Sequence, residues 1–255
     1  MTTLFDLTGR TALVTGSSRG IGLTLARGLV RSGARVVLHG RDQVTLDAAR
    51  ENLLREIGGE VSTVCFDVTD ADAVDLGIAE IESSVGPVHI LVNNAGIQRR
   101  APFTEFAVTD WNELIAANLT SAFLVGQRVA RGMVEAGAGK IINIGSVQSQ
   151  LGRPGIAAYA ATKGGIAMLT KGMCADLGPL GIQTNAIAPG YFATELTKAL
   201  VEDETFSQWV RTRTPAGRWG DTEDLVGALV FLASGASDFV NGQIIYVDGG
   251  MTAVV

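Results

Sequence analysis

The chain has 255 residues, enough for one large α/β domain or two small ones, and 47% of them are hydrophobic, which excludes a disordered chain. A formal net charge of −6 without any basic run argues against nucleic acid as the main partner. Two cysteines, Cys65 and Cys174, stand in no paired motif and read as thiols of a reducing compartment; with no signal-peptide pattern and no apolar run long enough to span a bilayer, a cytoplasmic protein away from membranes is expected.

Strand and helix signals alternate from the start. Short apolar runs at 10–15, 36–39, 61–66 and 89–92 read as strands, separated by helical patterns at 21–32, 43–57 and 71–84. A long helical stretch follows Asp110 and reaches about residue 135. An apolar run at 140–145 is the fifth strand, the helix bearing Tyr159 follows, and 182–188 is the sixth strand. A helix at 222–233 and a strand at 243–247 close the pattern. Such βαβ alternation predicts a seven-stranded parallel sheet with helices on both faces. No linker, repeat or low-complexity segment divides it, so residues 1–255 are expected to form a single doubly wound domain.

The first strand runs into Thr15-Gly16-Ser17-Ser18-Arg19-Gly20-Ile21-Gly22 and then a helix. Glycines allow a sharp turn and a close backbone approach to a diphosphate, and the helix N-terminus offers unpaired N–H groups. Gly16, Ser18, Arg19, Gly20, Ile21 and Gly22 are therefore candidate dinucleotide contacts. An NAD site usually carries an acidic residue at the end of the second strand. Here the chain reads His39-Gly40-Arg41, and Arg19 with Arg41 would suit the 2′-phosphate of NADP(H), leaving NAD(H) as a poorer cofactor. Asp42 reads as the cap of the next helix. Asp67, followed by Val68, ends the third strand and could take an adenine amino group or cap a helix. Asn93 could pin neighbouring strands, and Asn94, Ala95 and Gly96 let backbone lie against a cofactor. Pro189-Gly190, with Thr194 beyond, could hold a nicotinamide amide.

Ser146 stands at the end of the fifth strand, and Tyr159 and Lys163 share one helix face at i, i+4. A phenol is a poor base near neutral pH, and a nearby cation favours its phenolate. With a serine hydroxyl opposite, these residue types suit proton transfer between an alcohol and a ketone. Ser146 lacks the G-x-S-x-G setting of a hydrolase nucleophile, and His39 and His89 form no ligand cluster, so no metal is expected.

Taken together, Thr15-Gly16-x-x-x-Gly20-x-Gly22, Asn93-Asn94-Ala95-Gly96, Asn118, Ser146, Tyr159-x-x-x-Lys163 and Pro189-Gly190 resemble the short-chain dehydrogenase/reductase family in order and over nearly the whole chain. The resemblance implies a Rossmann-type fold, a nicotinamide dinucleotide and a homotetramer. It also implies roles: Tyr159 as general acid/base, Lys163 lowering its pKa and binding the nicotinamide ribose, Ser146 orienting the reacting oxygen, and Asn118 holding a water in a proton relay. The segments 96–106, 188–195 and 213–220 resemble members that act on sugar acids, with two departures from their pattern, Gly145 in place of Cys and Gln150 in place of Glu.

A sugar acid carries a carboxylate and hydroxyls, so its pocket needs a cation and amides. Gln98, Arg99, Arg100 and Gln148 are the candidates beside Ser146 and Tyr159. Consecutive arginines in a loop point apart, so one of the two is expected to face the pocket. A 3-oxoacyl-carrier-protein reductase would share the catalytic set but needs a basic docking patch, and a non-catalytic NADP-binding regulator need not keep that set.

Overall fold

Two helices begin where their aspartates place them. In the computed structural model, which describes residues 4–255, α2 (Gln43–Ile57) starts at Asp42, whose carboxylate accepts the Thr45 N–H. α3 (Ala71–Ser84) starts at Asp70, whose carboxylate accepts the N–H groups of Asp72 and Ala73. Asp67 is not that cap; it folds onto Thr69 instead. The first three residues of the expected domain lie outside the described residues.

The strands are β1 (Thr11–Val14), β2 (Arg35–Gly40), β3 (Val61–Cys65), β4 (Ile90–Asn93), β5 (Gly139–Ile144), β6 (Ile182–Pro189) and β7 (Ile244–Val247). They form one parallel sheet in the order β3-β2-β1-β4-β5-β6-β7. Strand alternation splits the core in two. Ala12, Val14, Val36, Leu38, Ile142 and Ile187 pack on one face, with α1 (Gly20–Arg31) and α9 (Val226–Ala233). Leu13, Val37, Leu91 and Ile141 pack on the other, against α3 and α5 (Ser121–Ala136). The strand order reverses between β1 and β4, and a doubly wound sheet opens its ligand crevice at the carboxyl ends there.

The expected long helix after Asp110 is three pieces. α4 (Val108–Ile115) passes through a π turn at Ala116–Thr120 before α5 begins. The helix expected at 222–233 opens with a 3-10 turn, Thr222–Leu225. Two helices were not foreseen: α7 (Lys198–Glu202) and α8 (Glu204–Arg213), capped by Asp203, lie beyond β6. α6 (Ala157–Leu177) follows β5 and carries Tyr159 and Lys163. Among the described residues no helix is long and apolar enough to cross a membrane.

Candidate active site

The glycine loop is held from three sides. Gly16 has φ +63°, a left-handed turn that suits glycine, and a side chain there would meet the Ala95 Cα at 2.9 Å. Asn94 fixes the loop by donating to the carbonyls of Thr15 at 2.9 Å and Gly16 at 3.0 Å. His39 accepts the Gly16 N–H at Nδ1, 3.1 Å away, while its Nε2 lies 3.1 Å from the Phe66 carbonyl; the two partners assign the proton to Nε2. Burial keeps this imidazole neutral, pulled down to about 4.

Past the loop, Arg19 stands at the N-cap of α1 without a side-chain cap bond, leaving first-turn N–H groups for an anion. Gly20 has φ +58° and open space where a side chain would project. A cavity of 640 Å³ runs from here to the candidate catalytic group, lined at one end by Gly16, Arg19, Gly20, Ile21 and Gly22 and at the other by Asn118, Ser146, Tyr159 and Lys163. Its walls include Asn94, Gly96, Gly145, Pro189, Gly190 and Thr194, and also Ile97, Ile144, Phe192, Glu195 and Thr197, which the sequence does not mark as site residues. A long groove with a glycine-walled cradle over a helix N-terminus fits a dinucleotide and its diphosphate.

At the far end, the buried Ser146 donates to Gln148 Oε1 at 2.6 Å and accepts the Gln148 N–H at 3.2 Å. Burial pushes the Tyr159 phenol up to about 12; a hydrogen bond with Ser146 opposes the rise, Tyr191 adds to it, and Arg100 also opposes it. Lys163 donates to the Ile144 carbonyl at 2.7 Å, and its nitrogen lies 5.7 Å from the Tyr159 ring centroid. Burial pulls this ammonium down to about 8. The lowering of the phenol that the resemblance implies for Lys163 is not among the causes acting on Tyr159 here, where burial comes first.

Asn118 lies in the π turn, where its side chain is bonded to both backbone groups of Ile97 and reaches Thr162 Oγ1 at 3.3 Å. Thr162 precedes Lys163, so Asn118 ties the loop after β4 to the catalytic helix. Asn93 donates to Asn143 Oδ1 at 2.9 Å and so joins β4 to β5 below.

The remaining candidates lie outside the cavity lining. Ser18 is within the glycine loop, and Ala95 packs against it at Gly16. Val68 is buried in the core, and Arg41 is exposed, close enough to Asp67 to hold that carboxyl down together with the Thr69 hydrogen bonds. The two arginines part company. Arg99 pairs with Glu113 on α4 at 2.9 Å, and Gln98 turns its amide oxygen to the Arg99 N–H. Arg100 sits by the catalytic end: burial and the like charge of Arg153 pull its guanidinium down, while Tyr191 and Tyr159 act the other way. Burial pushes the Tyr191 phenol up, while Arg153, the neighbouring Gln148 side chain and Arg100 act the other way. Tyr191 in turn meets Phe206 and Trp209 of α8 edge-on, with ring centroids 5.6 Å apart in each case, and Trp219 at 5.8 Å. Arg153 and these aromatics were missed. The gathering of Tyr191, Phe192, Phe206, Trp209 and Trp219 in one stretch of an aromatic-poor chain was the available signal. Of the two departures, Gly145 lines the cavity, where a side chain would stand 3.2 Å from Ser149 Oγ, and Gln150 is exposed. Among the described residues no group of three His, Cys, Asp or Glu side chains is placed to hold a metal.

A family model of this fold, described as enoyl-(acyl carrier protein) reductase, matches residues 16–252. The chain belongs to the short-chain dehydrogenase/reductase family. Within that family it is 60% identical over 249 residues to gluconate 5-dehydrogenase of Gluconobacter oxydans (strain 621H), covering 98% of this chain and 97% of the relative. It is 53% identical to 5-keto-D-gluconate 5-reductase of Escherichia coli (strain K12) over the full length of both. A crystal structure of a gluconate 5-dehydrogenase from Burkholderia cenocepacia J2315 in complex with NADP and tartrate superposes with a TM-score of 0.96 at 56% identity, covering 99% of this chain and 98% of that one.

Proposed function

We propose that the protein is an oxidoreductase that interconverts 5-keto-D-gluconate and D-gluconate with NADP(H). The observation that carries this reading is the single groove joining the glycine loop to Tyr159, Ser146 and Lys163, with the exposed Arg100 outside its lining but close enough to act on the Tyr159 phenol. The names of the two relatives describe this same conversion.

When bound, the dinucleotide supplies or accepts the hydride. The chain manages the proton. Tyr159 donates from its hydroxyl to the oxygen of a ketone held against Ser146, and the high pKa keeps that proton in place until an alkoxide develops. Ser146, its own hydroxyl fixed by Gln148, holds the reacting oxygen. Lys163 is anchored on Ile144 and offers its remaining N–H groups to a ribose. Asn118, next to Thr162, is placed to hold the first water of a relay to solvent.

Arg19 and Arg41 favour the extra phosphate of NADP over NAD, since a guanidinium gives bidentate, charge-assisted bonds. Arg100 takes the cation's part toward a sugar-acid carboxylate, with Gln148 toward its hydroxyls. An acyl thioester would leave that cation without a partner, which disfavours the carrier-protein alternative. The assembly is a homotetramer, supported by apolar side chains left open on α5 and α6, Phe123 at 46% and Met168 at 64% exposure. The two free cysteines suit the reducing cytoplasm. Sugar acids, ketoacids and 3-oxoacyl thioesters assayed with NADPH and NADH in parallel test the reading. The expected result is highest kcat/KM for 5-keto-D-gluconate with NADPH; preference for a thioester, or no turnover of any sugar acid, overturns it.

A further inference from the structure

Arg153 lies in the loop between Ser146 and α6. Its guanidinium carbon sits 5.0 Å from the centroid of the Phe206 ring, and its Nε is buried without a hydrogen-bond partner. Arg128, with 17% of its side chain exposed, is by contrast held by Asp75 at 2.6 Å and Glu82 at 2.7 Å. Among the described residues no carboxylate pairs with Arg153, nor with Arg100.

The chain nevertheless brings these two cations together. The Ala101 N–H donates to the Gly155 carbonyl at 3.2 Å, which zips the loop after β4 to the loop before α6. The charge of Arg153 then reaches Arg100, and both guanidinium groups act on Tyr191. Two like charges drawn together and partly withdrawn from water are costly unless an anion joins them. Phe206 makes Arg153's place definite: its ring face supports the planar group, leaving the edge N–H groups for a planar acceptor.

We propose that Arg153 is the second half of a two-guanidinium clamp, with Arg100, for the carboxylate of the substrate, and that its seat on Phe206 makes α8 a part of the substrate site. This deepens the sugar-acid reading and rests on it for the identity of the anion. Arg99 has no share in the clamp, because Glu113 already holds it.

The test is binding, with and without NADP, measured by titration calorimetry for D-gluconate and for D-glucitol, which has a CH2OH in place of the carboxylate. Arg153→Met keeps the stem on Phe206 and removes the charge; Arg153→Lys keeps the charge and removes the fork. Wild type is expected to bind gluconate at least about tenfold more tightly than glucitol, the scale of a charged hydrogen bond. Arg153→Met is expected to erase most of that ratio and Arg153→Lys to reduce it at least about threefold, with thermal unfolding reporting that each variant is folded. A folded variant that keeps the wild-type ratio overturns the clamp, as does equal weakening of both ligands, which is the mark of a merely structural arginine. If Arg153→Met does not fold, the Lys variant decides alone. A wild type that binds gluconate selectively but does not turn over 5-keto-D-gluconate overturns the proposed reaction and leaves the clamp standing; a wild type that does not distinguish the two ligands removes the clamp whatever it turns over.

Discussion

The Asn118 side chain brackets Ile97, accepting its N–H at 2.7 Å and donating to its carbonyl at 3.0 Å. One amide thus replaces the backbone partners that a loop beside a sheet lacks, and it does so at the wall of the catalytic groove. Asn118→Ala leaves both Ile97 groups unpaired, and a buried unpaired group costs roughly 1–3 kcal/mol. The expected result is a loss of about 2 kcal/mol in denaturant unfolding together with a fall in kcat larger than the change in NADPH affinity. A variant that keeps its rate while losing stability would take Asn118 out of the relay and leave it a structural tie.

Tyr159→Phe removes one hydroxyl and keeps the ring. Turnover is expected to disappear while NADPH binding, followed by fluorescence titration, stays nearly intact. A variant that retains most of its rate refutes the proton-transfer role.

The two directions of reaction should respond differently to pH. Reduction needs the neutral phenol, which burial secures by raising Tyr159 to about 12. Oxidation needs the phenolate, which is scarce at neutral pH and grows as pH rises. Initial rates with 5-keto-D-gluconate and with D-gluconate, measured from about pH 6 to about pH 10, should therefore diverge, oxidation climbing and reduction level or falling. Parallel profiles would mean that another group handles the proton.

How much of this was legible varied with the physics involved. α2 and α3 could be placed to the residue because Asp42 and Asp70 end the preceding loops and apolar spacing does the rest. The glycine loop and the Ser146, Tyr159, Lys163 group were legible because each demands particular residue types at fixed local spacing. α8 was not, since its aromatic residues Phe206 and Trp209 pack on Tyr191 rather than on the sheet, and α7 is too short, at five residues, to show a helical stripe. Arg153 was hidden for a related reason: its meaning depends on Phe206 and Arg100, both distant from it in the chain. The choice between Arg99 and Arg100 turned on Glu113, a partner on another element.

Cofactor choice has its own test. Arg41→Ala removes an exposed cation near Asp67, one of the two arginines proposed to take the 2′-phosphate. NADPH binding should weaken by about 1.5–3 kcal/mol, the range for a charged hydrogen bond, and NADH binding much less. Equal weakening of both would place Arg41 elsewhere.

His39 makes the glycine loop sensitive to acid. Its imidazole is held neutral down to about 4 in the fold, against an ordinary value of 6.5. Between those values the unfolded chain binds a proton that the folded chain does not, so this contribution to stability is full above 6.5, falls as pH drops toward 4, and is lost below it. Its size is on the order of 3 kcal/mol. Urea unfolding of wild type and His39→Gln across this window should show a steeper decline in wild type. Identical slopes would mean that the ring admits a proton without disturbing Gly16.

The π turn at Ala116–Thr120 has a consequence for how this chain can change in length. A π turn is one residue more than an α-helix needs. Removing a single residue there would restore regular hydrogen bonding and leave α5 close to its present phase, with Val125, Val129 and Met133 still in the core, but it would draw Asn118 from its place against Ile97 and Thr162. The extra residue thus serves the groove rather than the core, and one-residue deletions between Leu114 and Ser121 should leave a chain that folds but has lost the Asn118 tie.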